Sequence, residues 1–301
     1  MNKHFLTLVA ISFLLASCAT VPGSGIPDVI VAERGGFIPE GIEYDNNSRR
    51  FLTGSLSEGT IYAISNSGQL TPVVQDEELT ASVGIEVDES GNRLLAAANS
   101  SAGIPMLAVY ELDSGQQLAM IDLAATIDGR QADAGHFAND VAITPGGTAF
   151  VTDTTQNIVY KVDRYYNAEV FLNLGSDAGL SLNGIDYHPS GALIVAAMAT
   201  GELLRVPINR PENWSVITLD FPASGGDGLV WSPDGGLVVT SNDTSRVLKY
   251  MSGDSWRSAN LTGMARFEGQ GTTAATVGKE VFVVQPHFGD AEPPVIVRAA
   301  F

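Results

Sequence analysis

One short phrase recurs six times along this chain: a variable, usually polar residue, then most often Gly, then an apolar residue that opens an alternating stretch. The copies start at Glu40, Val83, Asn139, Asn183, Asp227 and Gln270, at intervals of 43, 56, 44, 44 and 43 residues. Five copies are plain, and the sixth, Gln270-Gly271, is degraded. The long interval carries about a dozen extra residues between Asn99 and His136. A fixed period of this length marks stacked copies of one supersecondary unit, each too small to bury its faces alone.

Eight residues after each start comes a turn position: Ser48, Gly91, Gly147, Gly191, Gly235 and Gly278. Such turns favour glycine for its access to positive φ, and Pro145-Gly146, Pro189-Ser190 and Pro233-Asp234 beside them are turn formers too. Behind each turn lies an apolar run, such as Leu94 to Ala98, Leu193 to Ala197 or Val281 to Val284, and further β runs follow, such as Asn157 to Val162 and Arg246 to Tyr250. Each unit has room for four short strands and shows no convincing amphipathic helix. The expected fold is therefore all-β, a six-bladed β-propeller with four antiparallel strands per blade. The last copy ends one strand short, after Pro294 to Arg298, and Asp28 to Val31 is unassigned ahead of the first. Pairing the two closes the ring and hides its edge.

The propeller domain then spans residues 28–301. Ahead of it, residues 1–17 read as a signal peptide, with Lys3 before an apolar run from Phe5 to Leu15 that is too short to cross a bilayer. Ala16-Ser17 directly before Cys18, the single cysteine of the chain, resembles the bacterial lipobox, which implies lipidation at Cys18 and a tether over residues 18–27. A lone cysteine has no partner for a disulfide, which fits an anchor better than an exported fold. Ala19 after it, where an Asp would signal retention, implies by analogy the outer membrane of a bacterial cell envelope.

Partners are narrowed by charge. With 16 Lys and Arg against 34 Asp and Glu, the formal net charge is −18, and no basic run offers a phosphate-binding surface. Nucleic acid is excluded as a partner on that ground. Steering favours cations or neutral ligands.

In a propeller the innermost strand of every blade lines the central channel, so the six repeat starts face one another near one mouth. Five of the six are polar, two of them carboxylates and three amides. Asn, Asp and Gly also cap strand starts as plain turn residues. Four oxygen donors at one repeat phase favour a site. Buried carboxylates facing each other repel and lose hydration unless a cation joins them. Oxygen donors with a total charge of about −2 suit a hard ion, one divalent cation with calcium first and magnesium or manganese behind. Zinc comes last, since neither Cys nor His is in the set.

The tetrapeptides Pro39-Glu40-Gly41-Ile42 and Asn183-Gly184-Ile185-Asp186, with Asn139-Asp140 and Asp227-Gly228, resemble the senescence marker protein/gluconolactonase/LRE-like family, which includes regucalcin and gluconolactonase. The resemblance runs from about Phe37 to the C-terminus, and its strength lies in the ordered set at repeat spacing. It implies a six-bladed propeller with one divalent ion held by Glu40, Asn139, Asn183 and Asp227. It further implies hydrolysis of a lactone or related ester, with the metal polarising the carbonyl and Asp227 as both ligand and general base. Sugar lactonases of the family carry an Arg ahead of the position matched by Asn139. This chain has Gly135-His136-Phe137-Ala138 there, which implies a less polar substrate.

Around the expected mouth, His136 is a candidate proton shuttle, and Phe137, Met198, Asn242 and His287 are candidate substrate-binding residues. His188, in the turn before Pro189, belongs to the opposite end and reads as structural. The nucleophile elbow, the P-loop, the dinucleotide fingerprint and the zincin motif are all missing from the sequence. Two functions compete: a metal-dependent lactone or ester hydrolase, and a non-catalytic ligand- or protein-binding propeller whose calcium ion only braces the channel. A strictosidine-synthase-like activity ranks below both because it would leave the metal-ligand matches without use.

Overall fold

The computed structural model describes residues 24–129, 134–289 and 291–301. Six antiparallel sheets are present, and their innermost strands touch one another in a closed circuit. Those strands are Ile42–Asp45, Leu79–Asp88, Ala138–Ile143, Leu182–His188, Gly226–Trp231 and Ala274–Val277. The chain is a six-bladed β-propeller. Cys18 and the signal-peptide segment lie outside the described residues.

Ring closure follows the expected route. Val29–Val31 pairs antiparallel with Val295–Ala299, with Val29 opposite Val297 and Val31 opposite Val295. Strand alternation turns Ile30 inward onto Phe37, Ile42, Phe51 and Phe282, while Val29 and Val31 face outward. Arg298 ties the same seam to Asp28 at 3.0 Å and also pairs with Glu280.

Six apolar clusters hold the blades, one at each seam. Leu52 and Ile61 meet Leu94 and Ala96 between the first and second blades, and Leu95 and Leu107 meet Val151 and Tyr160 between the second and third. Each fully buried Leu or Phe in such a seam contributes about 1.5–3 kcal/mol. Neither face of a sheet is left for water, which is why the strands read as near-continuous apolar runs.

Two details differ from the repeat arithmetic. The positive φ of the turn falls on Gly147, Gly191, Gly235 and Gly278 as expected, but moves one residue on, to Arg49 and Asn92, in the first two blades. The fifth sheet holds a fifth strand, Thr218–Leu219, which runs parallel to Ser258–Arg266. The connection out of the fourth blade thus covers the edge of the next one.

The repeat starts have a structural cause. In blades two to five the ladder between first and second strands slips at Ser82/Ile85, Ala138/Val141, Leu182/Ile185 and Gly226/Leu229, so each start lies in a β-bulge. A bulge leaves its extra residue unpaired and re-aims its side chain. The second bulge residue is glycine where the next blade comes closest. A Cβ on Gly184 would lie 2.1 Å from the carbonyl oxygen of Asp227, and one on Gly228 would lie 2.6 Å from Thr273 Oγ1. In the third blade Asp140 stands there instead. Its Oδ1 accepts the N–H of Val141 at 2.9 Å, and its Oδ2 accepts that of Ile185 in the fourth blade at 3.1 Å.

Candidate metal centre in the propeller channel

Four repeat starts are buried at one end of the channel: Glu40 is 7% exposed, Asn139 5%, Asn183 5% and Asp227 4%. Main-chain contacts between blades fix their positions. Thr272 Oγ1 donates to the carbonyl of Glu40 at 2.7 Å, and Thr152 Oγ1 donates to that of Asn183 at 2.7 Å.

Three of the four act on one another electrostatically: Asp227 raises the carboxyl of Glu40, and the amide of Asn183 pulls that of Asp227 down. Burial pushes Glu40 well above the usual carboxylate range, with the charges of Asp227 and Asp140 adding to the rise. Asp227 is pushed up to about 8 by burial first and by Asp140 second, against the pull of Asn242 and Asn183. Asn139 is buried at the equivalent bulge of the third blade. The remaining starts take no part: Val83 is packed away and Gln270 is exposed, ahead of the sixth inner strand.

Support comes from the ends of the second strands. Asn242 Nδ2 donates to Asp227 Oδ2 at 3.1 Å, and Asn183 Nδ2 points at Met198 Sδ at 3.4 Å. Asp227 Oδ1, in contrast, is buried with no hydrogen-bond partner. A carboxylate oxygen stranded this way beside a second carboxyl and two amides fits a hard cation in its chemistry. Among the described residues no three His, Cys, Asp or Glu side chains gather as a cage of their own, so any ion here depends on the amide oxygens.

The other sequence candidates surround this end. Phe137 is half-buried, its N–H bound to Asp153 Oδ1 at 3.1 Å and its carbonyl accepting from Thr154. His136 Nδ1 lies 2.6 Å from Asp153 Oδ2. His287 has a positive φ of 54° and a buried Nδ1 without a partner. His188 lies at the other end of its strand, 5.0 Å from the ring of Trp231 and bound to Ser190.

Two groups of residues escaped the sequence reading. Gln285, buried with Nε2 unpartnered, ends the second strand of the sixth blade at the phase of Met198 and Asn242, so the repeat itself carried its signal. Deeper in the channel, Glu43, Glu86, Asp140 and Asp186 line a cavity of about 150 Å³. Glu43 and Asp186 are each pushed up to about 8, and Asp140 to about 7, by burial above all. Glu86 is raised well above its ordinary value by burial and by the charges of Glu43 and Asp186. Glu43, Glu86 and Asp186 each stand three residues after a start, further along the inner strands.

No family model matches the chain, and no curated protein matches its sequence. Solved structures do match. The Malassezia sympodialis allergen Mala s 1 superposes with a TM-score of 0.75 at 17% identity, covering 91% of this chain and 96% of that one. A putative gluconolactonase gives 0.66 at 16% identity, with 91% and 93% covered. Regucalcin from Agrobacterium tumefaciens, a calcium-binding protein, gives 0.66 at 16% identity, with 90% and 93% covered. The resemblance drawn from the repeat starts holds at the level of fold. Substrate, ion and proton-transfer residue are separate questions, which a shared propeller leaves to the site.

Proposed function

We propose that this protein is a divalent-metal-dependent hydrolase of a lactone or related ester, with calcium as the first candidate ion and magnesium, manganese or zinc behind it. The observation that carries the reading is Asp227 Oδ1, buried and without a hydrogen-bond partner on a carboxyl that is coupled electrostatically to Glu40 and Asn183. Glu40, Asn139, Asn183 and Asp227 would hold the ion. When bound, it would supply a Lewis acid for the ester carbonyl.

The protein's own part is positional. Asn242 engages one oxygen of Asp227 and leaves the other without a partner. Met198 takes the amide N–H of Asn183. Phe137, Met198, Asn242 and His287 would contact the substrate. With Gly135-His136-Phe137-Ala138 ahead of Asn139, no guanidinium is supplied at that point for sugar hydroxyls, which favours a less polar lactone or ester. Asp227 and His136 are the two candidates to take the proton of the attacking water. Lipidation at Cys18 would hold the domain at a membrane of the bacterial cell envelope, with the outer membrane favoured by Ala19. Loss of membrane association in Cys18→Ser, with the domain recovered in the soluble fraction, is the expected result there.

The test is a panel of γ- and δ-lactones and aryl esters, assayed with chelator and with calcium, magnesium or manganese restored. Metal-dependent turnover that disappears in Glu40→Gln and Asp227→Asn supports the hydrolase. Tight cation binding with no turnover of any panel member sinks it and leaves a binding propeller braced by its ion.

A further inference from the structure

The long interval between the second and third repeats ends in Gly135-His136-Phe137, and the third inner strand, Ala138–Ile143, begins at once. The side chain of His136 is 2% exposed, and that of its partner Asp153 is fully buried. Asp153 closes the strand Ala149–Asp153 and pairs with Ala138, next to Asn139. The pair therefore stands at the metal-centre end of the third blade.

Asp153 is held by four donors. Its Oδ1 accepts the N–H of Phe137 at 3.1 Å and that of Gln156 at 3.1 Å. Its Oδ2 accepts the hydroxyl of Tyr160 at 3.1 Å and faces His136 Nδ1 at 2.6 Å. A carboxylate engaged in this way acts as an acceptor only, so the proton between it and the imidazole sits on Nδ1. In the neutral ring that tautomer leaves a lone pair on Nε2. Nε2 is itself buried and has no hydrogen-bond partner. A structural histidine in a core satisfies both nitrogens, whereas this one holds the second in reserve.

Building on the hydrolytic reading above, we infer that His136 carries the proton in this site and that Asp153 is its positioning residue, leaving Asp227 as a ligand. A carboxylate that gives its lone pair to a cation is a weaker base than an imidazole braced by a carboxylate. In the step, an O–H proton of water passes to Nε2 as its oxygen bonds to the carbonyl carbon. The ester C–O bond then breaks, and the departing alkoxide oxygen recovers the proton from Nε2. A lactone gives the hydroxy acid and an open ester the acid and its alcohol, and His136 returns to its starting tautomer.

Two measurements on the full chain test this separately. Long-range proton–nitrogen NMR of nitrogen-15-labelled protein should show the neutral imidazole of His136 protonated on Nδ1, and Asp153→Asn should change that pattern. An Nε2–H tautomer, or a spectrum indifferent to Asp153→Asn, overturns the pairing. In kinetics, His136→Ala should lower kcat by about 100- to 10,000-fold with KM nearly unchanged. Added imidazole should restore part of the rate. Calcium titration of the same variant should match the wild type, which separates a lost base from a lost fold. A variant that keeps its kcat overturns the assignment. Wild-type protein that binds calcium yet turns over no lactone or ester sinks the hydrolytic reading and the proton transfer with it, while the NMR result still decides the geometry of the pair.

Discussion

The two halves of the channel both hold carboxylates, and they deal with the charge differently. At the metal-centre end, Glu40 and Asp227 are close enough to interact, the amides of Asn242 and Asn183 act on Asp227, and one oxygen of Asp227 has nothing to bond. Three residues further along the inner strands, Glu43, Glu86 and Asp186 surround a cavity, with main-chain N–H groups serving two of them: Tyr44 donates to Glu43 and Tyr187 to Asp186. The first set is compact and mixed, which suits a cation. The second is spread around a space, and its carboxyls are raised to about 8 for Glu43 and Asp186, which suits protons. Two phases of one repeat, three residues apart, thus give two chemistries, decided by how the facing groups are composed and spaced.

Several substitutions would break or sharpen that contrast. The largest effect is expected from Glu40→Gln and Asp227→Asn, which should reduce calcium affinity beyond the roughly 10- to 100-fold that loss of an outer-shell partner costs. Glu86→Gln should leave that affinity within a fewfold of the wild type. Calorimetric titration of the three variants makes the comparison, and equal losses in all three would erase the distinction between the two ends.

Stability against pH probes the lower set. Glu43 and Asp186 take up protons on folding that the unfolded chain releases, because their folded values lie above the ordinary carboxylate range. Stability is then greatest below about pH 4 as far as these groups are concerned, and falls as pH rises through about 8. Each unit of displacement corresponds to about 1.4 kcal/mol, so the decline between pH 5 and 9 is of the order of several kcal/mol. Urea midpoints should record it, and Glu43→Gln combined with Asp186→Asn should flatten it. An unchanged slope in the double variant contradicts the assignment.

Smaller effects concern the frame that both ends share. Gly184→Ala would bring a Cβ to 2.1 Å from the carbonyl oxygen of Asp227, so the two blades must separate. A loss of about 1–3 kcal/mol in thermal unfolding is expected, with calcium affinity reduced alongside. Thr272→Val removes the 2.7 Å hydroxyl donor to the carbonyl of Glu40 and should cost about 1 kcal/mol. If Thr272→Val proved neutral, that bond would not be what fixes Glu40.

Much of this was legible before any coordinates. The six starts, the turns after them and the orphan segment Asp28 to Val31 specified the propeller and its closing strand, because a 44-residue period leaves few other ways to bury both faces of every sheet. The burial of Glu40, Asn139, Asn183 and Asp227 at one end followed from the same phase. The bulges did not show in the sequence, since a slipped register is a relation between two strands and the glycines that permit it resemble turn glycines. The role of Asp153 was not legible for a related reason. Its role depends on four donors, Phe137, Gln156, Tyr160 and His136, that only the folded blade gathers. Glu43, Glu86 and Asp186 were within reach of the repeat arithmetic and were passed over, because alternation along a strand assigns a residue to a face without saying how deep in the channel it lies.

The central claim is that the contact set around Asp227 binds one divalent cation, and calcium titration of chelator-treated protein tests it most directly. The account predicts one ion per chain in the wild type, with binding lost in Asp227→Asn while the variant keeps the unfolding temperature of the ion-free protein. Wild-type protein that takes up no calcium, magnesium, manganese or zinc, or binds as well after Asp227→Asn, would contradict it.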